Sequence, residues 1–291
     1  MDHTLPDQPF APFHEPFPVA ETPRWTVVAK PAGMHCAGLG GEPGGTLVEW
    51  VFERYPECAA VAGRGRGEGG LMHRLDRDTS GLVLFARDGS AWEALTASAA
   101  AGLFSKRYWA LGLPGDGGLA GSRPPLREPP GADPTAWRAA LRRGETETLA
   151  AVLSGRMLAS RFRPYGPGAA RVACASPEDP VALRGAQGSG KAWSADTYRS
   201  EFLAAEARDG GVLAEVGLTR GFRHQVRAHL SWLGLALAGD ALYGEREDGP
   251  DGAPPAGACL SLRACSLSFP DPDGGGTVSV SFPASLANTA D

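Results

Sequence analysis

Apolar residues change their period several times along the chain, and each change marks an element. Trp25-Thr-Val-Val-Ala29 is a short apolar run closed by Lys30-Pro31-Ala32-Gly33, which predicts a strand ending in a turn. Thr46 with Glu49 three residues later makes a capping box, and Leu47, Trp50 and Val51 fall on one face of the helix it opens. Leu82-Val-Leu-Phe-Ala86 is apolar throughout and reads as a buried strand. Ser90 and Glu93 repeat the capping-box spacing, followed by Trp92, Leu95 and Ala99 at helical intervals up to Gly102. Leu103 to Leu111 alternates as a strand, with Phe104, Lys106, Tyr108 and Ala110 on one face.

The pattern weakens between about Pro114 and Lys191, where Pro/Gly-rich stretches flank a short helix near Thr135–Leu141. It resumes in two strands, Ala195–Leu203 and Val212–Val216, joined around Asp209-Gly-Gly. Phe222, Val226, Leu230 and Leu233 mark a helix that stops at Gly234, and Cys259–Phe269 with Thr277–Phe282 closes the chain as a hairpin. Helices and strands mix without a βαβ rhythm and without internal repeats, so the fold class expected is α+β with a mixed, largely antiparallel sheet. Residues 1–22 are Pro-rich and aperiodic and are read as a surface arm. Residues 23–291 are read as one domain with an insertion at about 114–191.

Composition narrows the class. With 291 residues, 43% hydrophobic and 21% charged, the chain can bury a large core. No apolar run approaches the roughly 18 residues of a membrane span, and the N-terminus lacks a secretory pattern. Five cysteines with no CxxC argue against a disulfide framework or zinc site and for a reducing cytoplasm. The formal charge of −5 is unevenly placed. Seven arginines against two glutamates lie between Trp137 and Arg171, while Gly239–Pro254 holds five acids and one arginine, so nucleic acid stays open as a partner.

Two clusters carry candidate chemistry. His73-Arg74-Leu75-Asp76-Arg77-Asp78-Thr79-Ser80-Gly81 lies just before a buried strand, a setting that fixes a loop. Asp76, flanked by Arg74 and Arg77, can be held ionised, and a carboxylate can attack an electrophilic carbon. The competing reading is an Asx-type turn built by Asp78, Thr79 and Ser80 with solvated arginines. The second cluster is Arg220-Gly-Phe-Arg-His-Gln-Val-Arg-Ala-His229. Arg223 and Arg227, four apart, would share a helix face beside His224, suited to phosphate or carboxylate, or would simply be an exposed basic face. His224 and His229 lack an acidic third ligand, so no metal is expected. Gly185–Lys191 satisfies GxxxxGK, but Ala192 replaces the hydroxyl residue and no strand precedes it, so no nucleotide site is expected.

The run HRLDRDTSG resembles the signature of the RluA-type pseudouridine synthases, and other segments follow in the family's order. Val27–Gly33 resembles its opening strand and KP-x-G turn, and Lys106-Arg-Tyr-Trp-Ala110 its tyrosine motif. Gly221–His229 resembles its third motif, followed by Gly239-Asp240 and Leu242-Tyr243-Gly244. The likeness implies an enzyme that isomerises uridine in RNA by cleaving the N1-glycosidic bond, turning the uracil and forming the C5–C1′ bond. No cofactor is required by that scheme. By resemblance Asp76, Tyr108 and Arg227 are catalytic, with Arg227 paired to Asp76. Arg74 replaces the flipped base, Tyr108 packs on the uracil, Val226 walls it, and His73, Thr79, Arg223 and His224 contact substrate. A base inside a stem must be extruded first, at a few kcal/mol, which suits an arginine and an aromatic.

The chain departs from the family in three places: Gly221-Phe-Arg-His-Gln carries its arginine one position late, Leu262-Arg263-Ala264 has arginine where histidine is usual, and 114–191 is longer. That segment, with Arg161, Arg163 and Arg171 around Phe162 and Tyr165, is expected to contact RNA rather than complete the core. The first motif lies too near the start for an S4 module. The expected partner is rRNA or tRNA, with no membrane, and the protein is expected to act as a monomer. The alternative is a non-catalytic RNA-binding or RNA-folding protein on the same scaffold. A glycosidase would need a second paired carboxylate, which the sequence does not supply.

Overall fold

The computed structural model describes residues 5–38, 44–115, 131–178, 192–244 and 259–283. The chain divides into two units, one made of Pro6–Tyr108 and the segment from Arg263 onward, the other built on Trp109–Leu262. The fold class is α+β, as the pattern predicted.

In the first unit, β1 (Phe17–Glu21), β2 (Trp25–Lys30), β3 (Ser80–Ala86) and β10 (Leu262–Pro270) lie in that order, with β11 (Thr277–Ser281) paired to β10. All pairings are antiparallel except β3 with β10, which run parallel through Ser80↔Arg263 and Gly81↔Ala264. Every residue of β2 and β3 is buried, which accounts for unbroken apolar runs rather than alternation. Helix α1 (Leu47–Arg54) starts at the expected capping box: Thr46 Oγ1 accepts from Glu49 N at 3.3 Å, and Glu49 returns a bond to Thr46 N at 2.9 Å.

Two expectations for this unit are corrected. Helix α2 (Gly89–Ala100) is capped by Asp88 rather than by Ser90 and Glu93, because the Asp88 carboxylate accepts from both Ala91 N and Ser90 Oγ at 2.8 Å. Part of the supposed surface arm is β1, paired with β2. Its anchor is aromatic, since Phe13, Phe17 and Phe282 pack with centroids 5.3 to 6.1 Å apart.

In the second unit the strand order is β4-β8-β7-β5-β6, with β9 (Leu235–Leu237) beside β4. Strand β4 (Ser105–Pro114) begins in the first unit and ends in this one. Strands β7 (Tyr198–Arg208) and β8 (Gly211–Leu218) form the expected hairpin; Asp209 and Gly210 both take positive φ, 50° and 71°, as a type I′ turn demands.

Between β4 and β7 lie α3 (Pro134–Arg143), α4 (Thr146–Leu153), β5 (Arg156–Tyr165) and β6 (Arg171–Ala175). These described parts of the 114–191 segment complete the core, contrary to expectation. β5 pairs with β7, and Trp137, Leu149, Leu153, Leu158 and Phe162 are all buried. The reason is strand alternation: Leu158, Ser160 and Phe162 point inward, with Arg161 half-buried between the last two and Arg163 buried over the Trp193 ring. The GxxxxGK stretch, 185–191, lies outside the described residues.

Helix α5 (Gln225–Trp232) is shorter than the expected Phe222–Leu233, because His224 adopts φ 57° and cannot extend it. All eight of its residues are buried, Arg227 at 3% exposure, so the alternative of an exposed basic face fails for Arg227, while Arg223, outside the helix, is exposed. Among the described residues no helix is long and apolar enough to cross a membrane, and no cluster of His, Cys, Asp and Glu could hold a metal ion. The five cysteines are free thiols.

Candidate active site

The loop 73–81 of the first unit is fixed from both sides of Asp76. On one side the buried Lys30, last residue of β2, donates from Nζ to Pro31 O and Met34 O at 2.8 Å and to Arg77 O at 3.0 Å. Gly33 N also donates to Arg77 O at 2.9 Å, so the KP-x-G turn holds the residue next to Asp76. On the other side Cys36 Sγ accepts from Leu75 N at 3.2 Å and donates to Leu75 O at 3.4 Å. The three carbonyls offset the cost of burying an ammonium. Burial nevertheless pulls the Lys30 pKa down to about 8, against the opposing charges of Cys36, Asp78 and Asp76. Sequence reading assigned no role to Lys30 or Cys36. The available signal was a lysine ending a fully apolar strand, which calls for buried acceptors.

The loop ends at Gly81, with φ 120°, where β3 meets β10. A Cβ there would lie 2.2 Å from Ala264 O, so only glycine fits. Thr79 is buried, its amide closes a turn on Asp76 O at 3.1 Å, and its Oγ1 has no hydrogen-bond partner among the described residues. Arg74 is exposed and ion-paired to Glu68. His73 Nε2 accepts from Leu84 N at 3.3 Å.

Tyr108, on the first-unit part of β4, is buried within electrostatic reach of Asp76. Burial, then the charge of Asp76, raises its pKa, so the side chain is a phenol at neutral pH. It is a stacking and hydrogen-bonding group there, not a preformed base. Five of the sequence-predicted residues, His73, Arg74, Asp76, Thr79 and Tyr108, therefore belong to the first unit.

The other four, Val226, Arg227, Arg223 and His224, belong to the second unit. Val226 is buried in α5. Within this unit Arg227 is engaged by Asp240: Arg227 Nε and Nη2 donate to its two oxygens at 2.8 and 2.7 Å. The pair is buried on both sides, and Arg227 also lies over the Tyr243 ring at 5.4 Å. Asp240 Oδ1 further accepts from Leu242 N and Tyr243 N, at 2.9 and 3.1 Å. His224 Nδ1 lies 3.1 Å from Tyr243 Oη, and Arg223 donates to Ala169 O.

A model of the RNA pseudouridylate synthase family matches residues 24–232. The chain belongs to that family, of the RluA type. A Chloroflexus aurantiacus protein named as an uncharacterized RNA pseudouridine synthase is 32% identical over 221 residues, covering 75% of this chain and 51% of that protein. The ribosomal large subunit pseudouridine synthase D of Pseudomonas aeruginosa is 26% identical, covering 76% of this chain and 51% of its own length. The chain thus spans about half the length of these relatives. Among solved structures, human RNA pseudouridylate synthase domain containing 1 aligns with a TM-score of 0.53 at 18% identity, covering 92% of this chain and 83% of the other, a likeness of fold.

Proposed function

We propose that this chain is an RNA pseudouridine synthase that isomerises particular uridines of a structured RNA, with Asp76 as the acting carboxylate. The observation that carries this reading is the complete HRLDRDTSG loop, pinned at Leu75 and Arg77 by Cys36 and Lys30 with a neutral Tyr108 beside Asp76. A carboxylate held by backbone on both sides is preorganised to meet the reacting atoms. Tyr108 would pack on the uracil, and Arg74, exposed and paired only at its tip with Glu68, would leave that acid to fill the gap of the flipped base. His73 and Thr79 would contact substrate. From the second unit, Arg227, set by Asp240, would complete the catalytic group, with Val226 against the base and Arg223 and His224 toward RNA.

The relatives named for the ribosomal large subunit favour rRNA over tRNA as substrate. The reading requires neither cofactor nor metal and places the protein in the cytoplasm as a monomer. It is tested by Asp76→Asn, which keeps the shape and removes the charge. Incubated with unmodified large-subunit rRNA transcripts, the wild type should form pseudouridine, and the variant none while melting at the wild-type temperature. Product from the Asn variant, with deamidation excluded by mass, would remove Asp76 from its role. A wild type that binds RNA without converting it would favour the non-catalytic alternative.

A further inference from the structure

One strand repeat from Tyr108 stands a group of hydrogen-bond donors that no acceptor among the described residues answers. Lys106 and Tyr108 are two apart on β4 and project from the same face, about 6.6 Å apart along the strand. His73 opens the loop that carries Asp76. Its Nε2 accepts the Leu84 amide, which in a neutral imidazole leaves the proton on Nδ1. That Nδ1 is buried and has no hydrogen-bond partner among the described residues. A buried donor left unmet costs about 1–3 kcal/mol, so its persistence asks for a ligand.

The charged neighbours of the His73 ring are Lys106 and Arg64. Among the described residues neither has an ion-pair or hydrogen-bond partner. Burial, with Arg64 adding like charge, lowers the Lys106 pKa to about 8, and the imidazole is kept neutral by burial and by these same two cations. Arg64 is exposed in the glycine-rich stretch GRGRGEGG, so its guanidinium can close over a bound group. Three donors, two of them cationic, with no carboxylate among them, match a tetrahedral oxyanion.

We propose that His73, Lys106 and Arg64 form an anion subsite that takes a backbone phosphate of the RNA beside the target uridine. The choice of an RNA phosphate rests on the proposed function: an anion at Lys106 lies about one nucleotide step from a base packed on Tyr108. Lys106 and Arg64 supply charge, and His73 Nδ1–H supplies a directional donor that fixes the phosphate's position relative to Asp76. His73 is thereby a positioning residue.

Full-length chain labelled with 15N-histidine would be titrated with inorganic phosphate, the His73 signal being the one lost in His73→Gln. The His73 Nδ1 resonance should shift on phosphate, and Lys106→Met or Arg64→Gln should weaken the effect about tenfold. Large-subunit rRNA transcripts should compete for the same shift. In RNA binding, each variant should lower the slope of log affinity against log salt by roughly one. In turnover, the loss should fall on KM, not on kcat.

An unmoved His73 signal, or wild-type salt slopes in both variants, would overturn the subsite. A phosphate response with no competition by RNA would overturn its assignment to the RNA backbone. Should Lys106→Met misfold, the surface variant Arg64→Gln still decides. If the wild type makes no pseudouridine, the phosphate titration is unaffected, so the two ideas fail separately.

Discussion

Replacing Arg227 with alanine puts a number on the best-defined ion pair in the second unit. Its side chain is 4% exposed and that of Asp240 is 0% exposed, and two hydrogen bonds of 2.8 and 2.7 Å join them. Without the arginine, Asp240 keeps the amides of Leu242 and Tyr243 but loses the guanidinium that compensates most of its burial. Stranding a buried charge in this way costs about 3–5 kcal/mol. Asp240→Ala should cost at least as much, because it removes both carboxylate bonds from a buried guanidinium and leaves two backbone amides without that acceptor. Arg227→Lys keeps the charge but loses the planar fork, so the loss should be nearer one charged hydrogen bond, about 1.5–3 kcal/mol.

The informative comparison is the double variant Arg227→Met with Asp240→Leu. A buried pair exchanged for apolar groups is often neutral or better, so the double should be more stable than either alanine variant. Urea unfolding followed by tryptophan fluorescence reads this directly, since Trp232 is buried in the same helix. Single variants within about 1 kcal/mol of wild type, or a double whose loss equals the sum of the singles, would refute the reasoning. Pseudouridine formation by Arg227→Lys, assayed at a temperature where it stays folded, then separates a catalytic need for the guanidinium from a structural one.

Two further changes test other parts of the fold. His229, buried between Ser160 Oγ at 2.7 Å and Ser200 Oγ at 2.8 Å, has its pKa pulled by burial to about 3. Its folded pKa is below the unfolded 6.5, so its contribution is complete above pH 6.5 and is lost as pH falls toward 3. Wild-type stability should therefore drop by about 1.4 kcal/mol per pH unit in that window relative to His229→Gln, and parallel pH profiles would disprove it. Gly81→Ala should destabilise by about 1–3 kcal/mol, since alanine must adopt φ 120° with its Cβ against Ala264 O. A melting temperature equal to wild type would show that the β3–β10 junction yields at no cost.

Much of the first unit was legible because its signals are local. The Thr46 capping box, the all-apolar β2 and β3, and the catalytic-loop spelling each sit within nine or fewer consecutive residues. What was missed depends on competition between neighbouring groups or on partners remote in sequence. Asp88 took the cap of α2 because a carboxylate can accept from Ser90 and Ala91 together, so the nearer serine became its donor. An exposed basic face stayed open as an alternative for Arg227 because the helical pattern allows water on one side, and α5 has none. The Asp240 carboxylate did stand in the Gly239–Gly244 run, but only packing shows that the Arg227 fork reaches it. In 114–191 the alternation Leu158, Ser160, Phe162 was present, yet Arg161, Arg163 and Arg171 drew the reading toward RNA.

The departure at Arg263 shows how such a remote partner reshapes the site. Arg263 pairs with Ser80 across the parallel step of β3 and β10, and its Nε donates to Ser80 Oγ at 3.0 Å. Its Nη2 donates to Ala11 O at 2.7 Å, and the guanidinium lies 5.3 Å from the Phe13 ring centre and 4.5 Å from that of Phe282. Burial lowers its pKa to about 10, far enough above neutrality that the side chain remains a cation. A guanidinium spreads its donors across a plane wide enough to serve Ser80 and Ala11 together while stacking on both rings. An imidazole has only two nitrogens on a shorter stem and cannot meet all of these demands. The arginine therefore ties the N-terminal segment to the end of the loop that holds Asp76. Residues 11–21 are in this sense part of the scaffold of the candidate site, although their sequence has no periodicity to announce it.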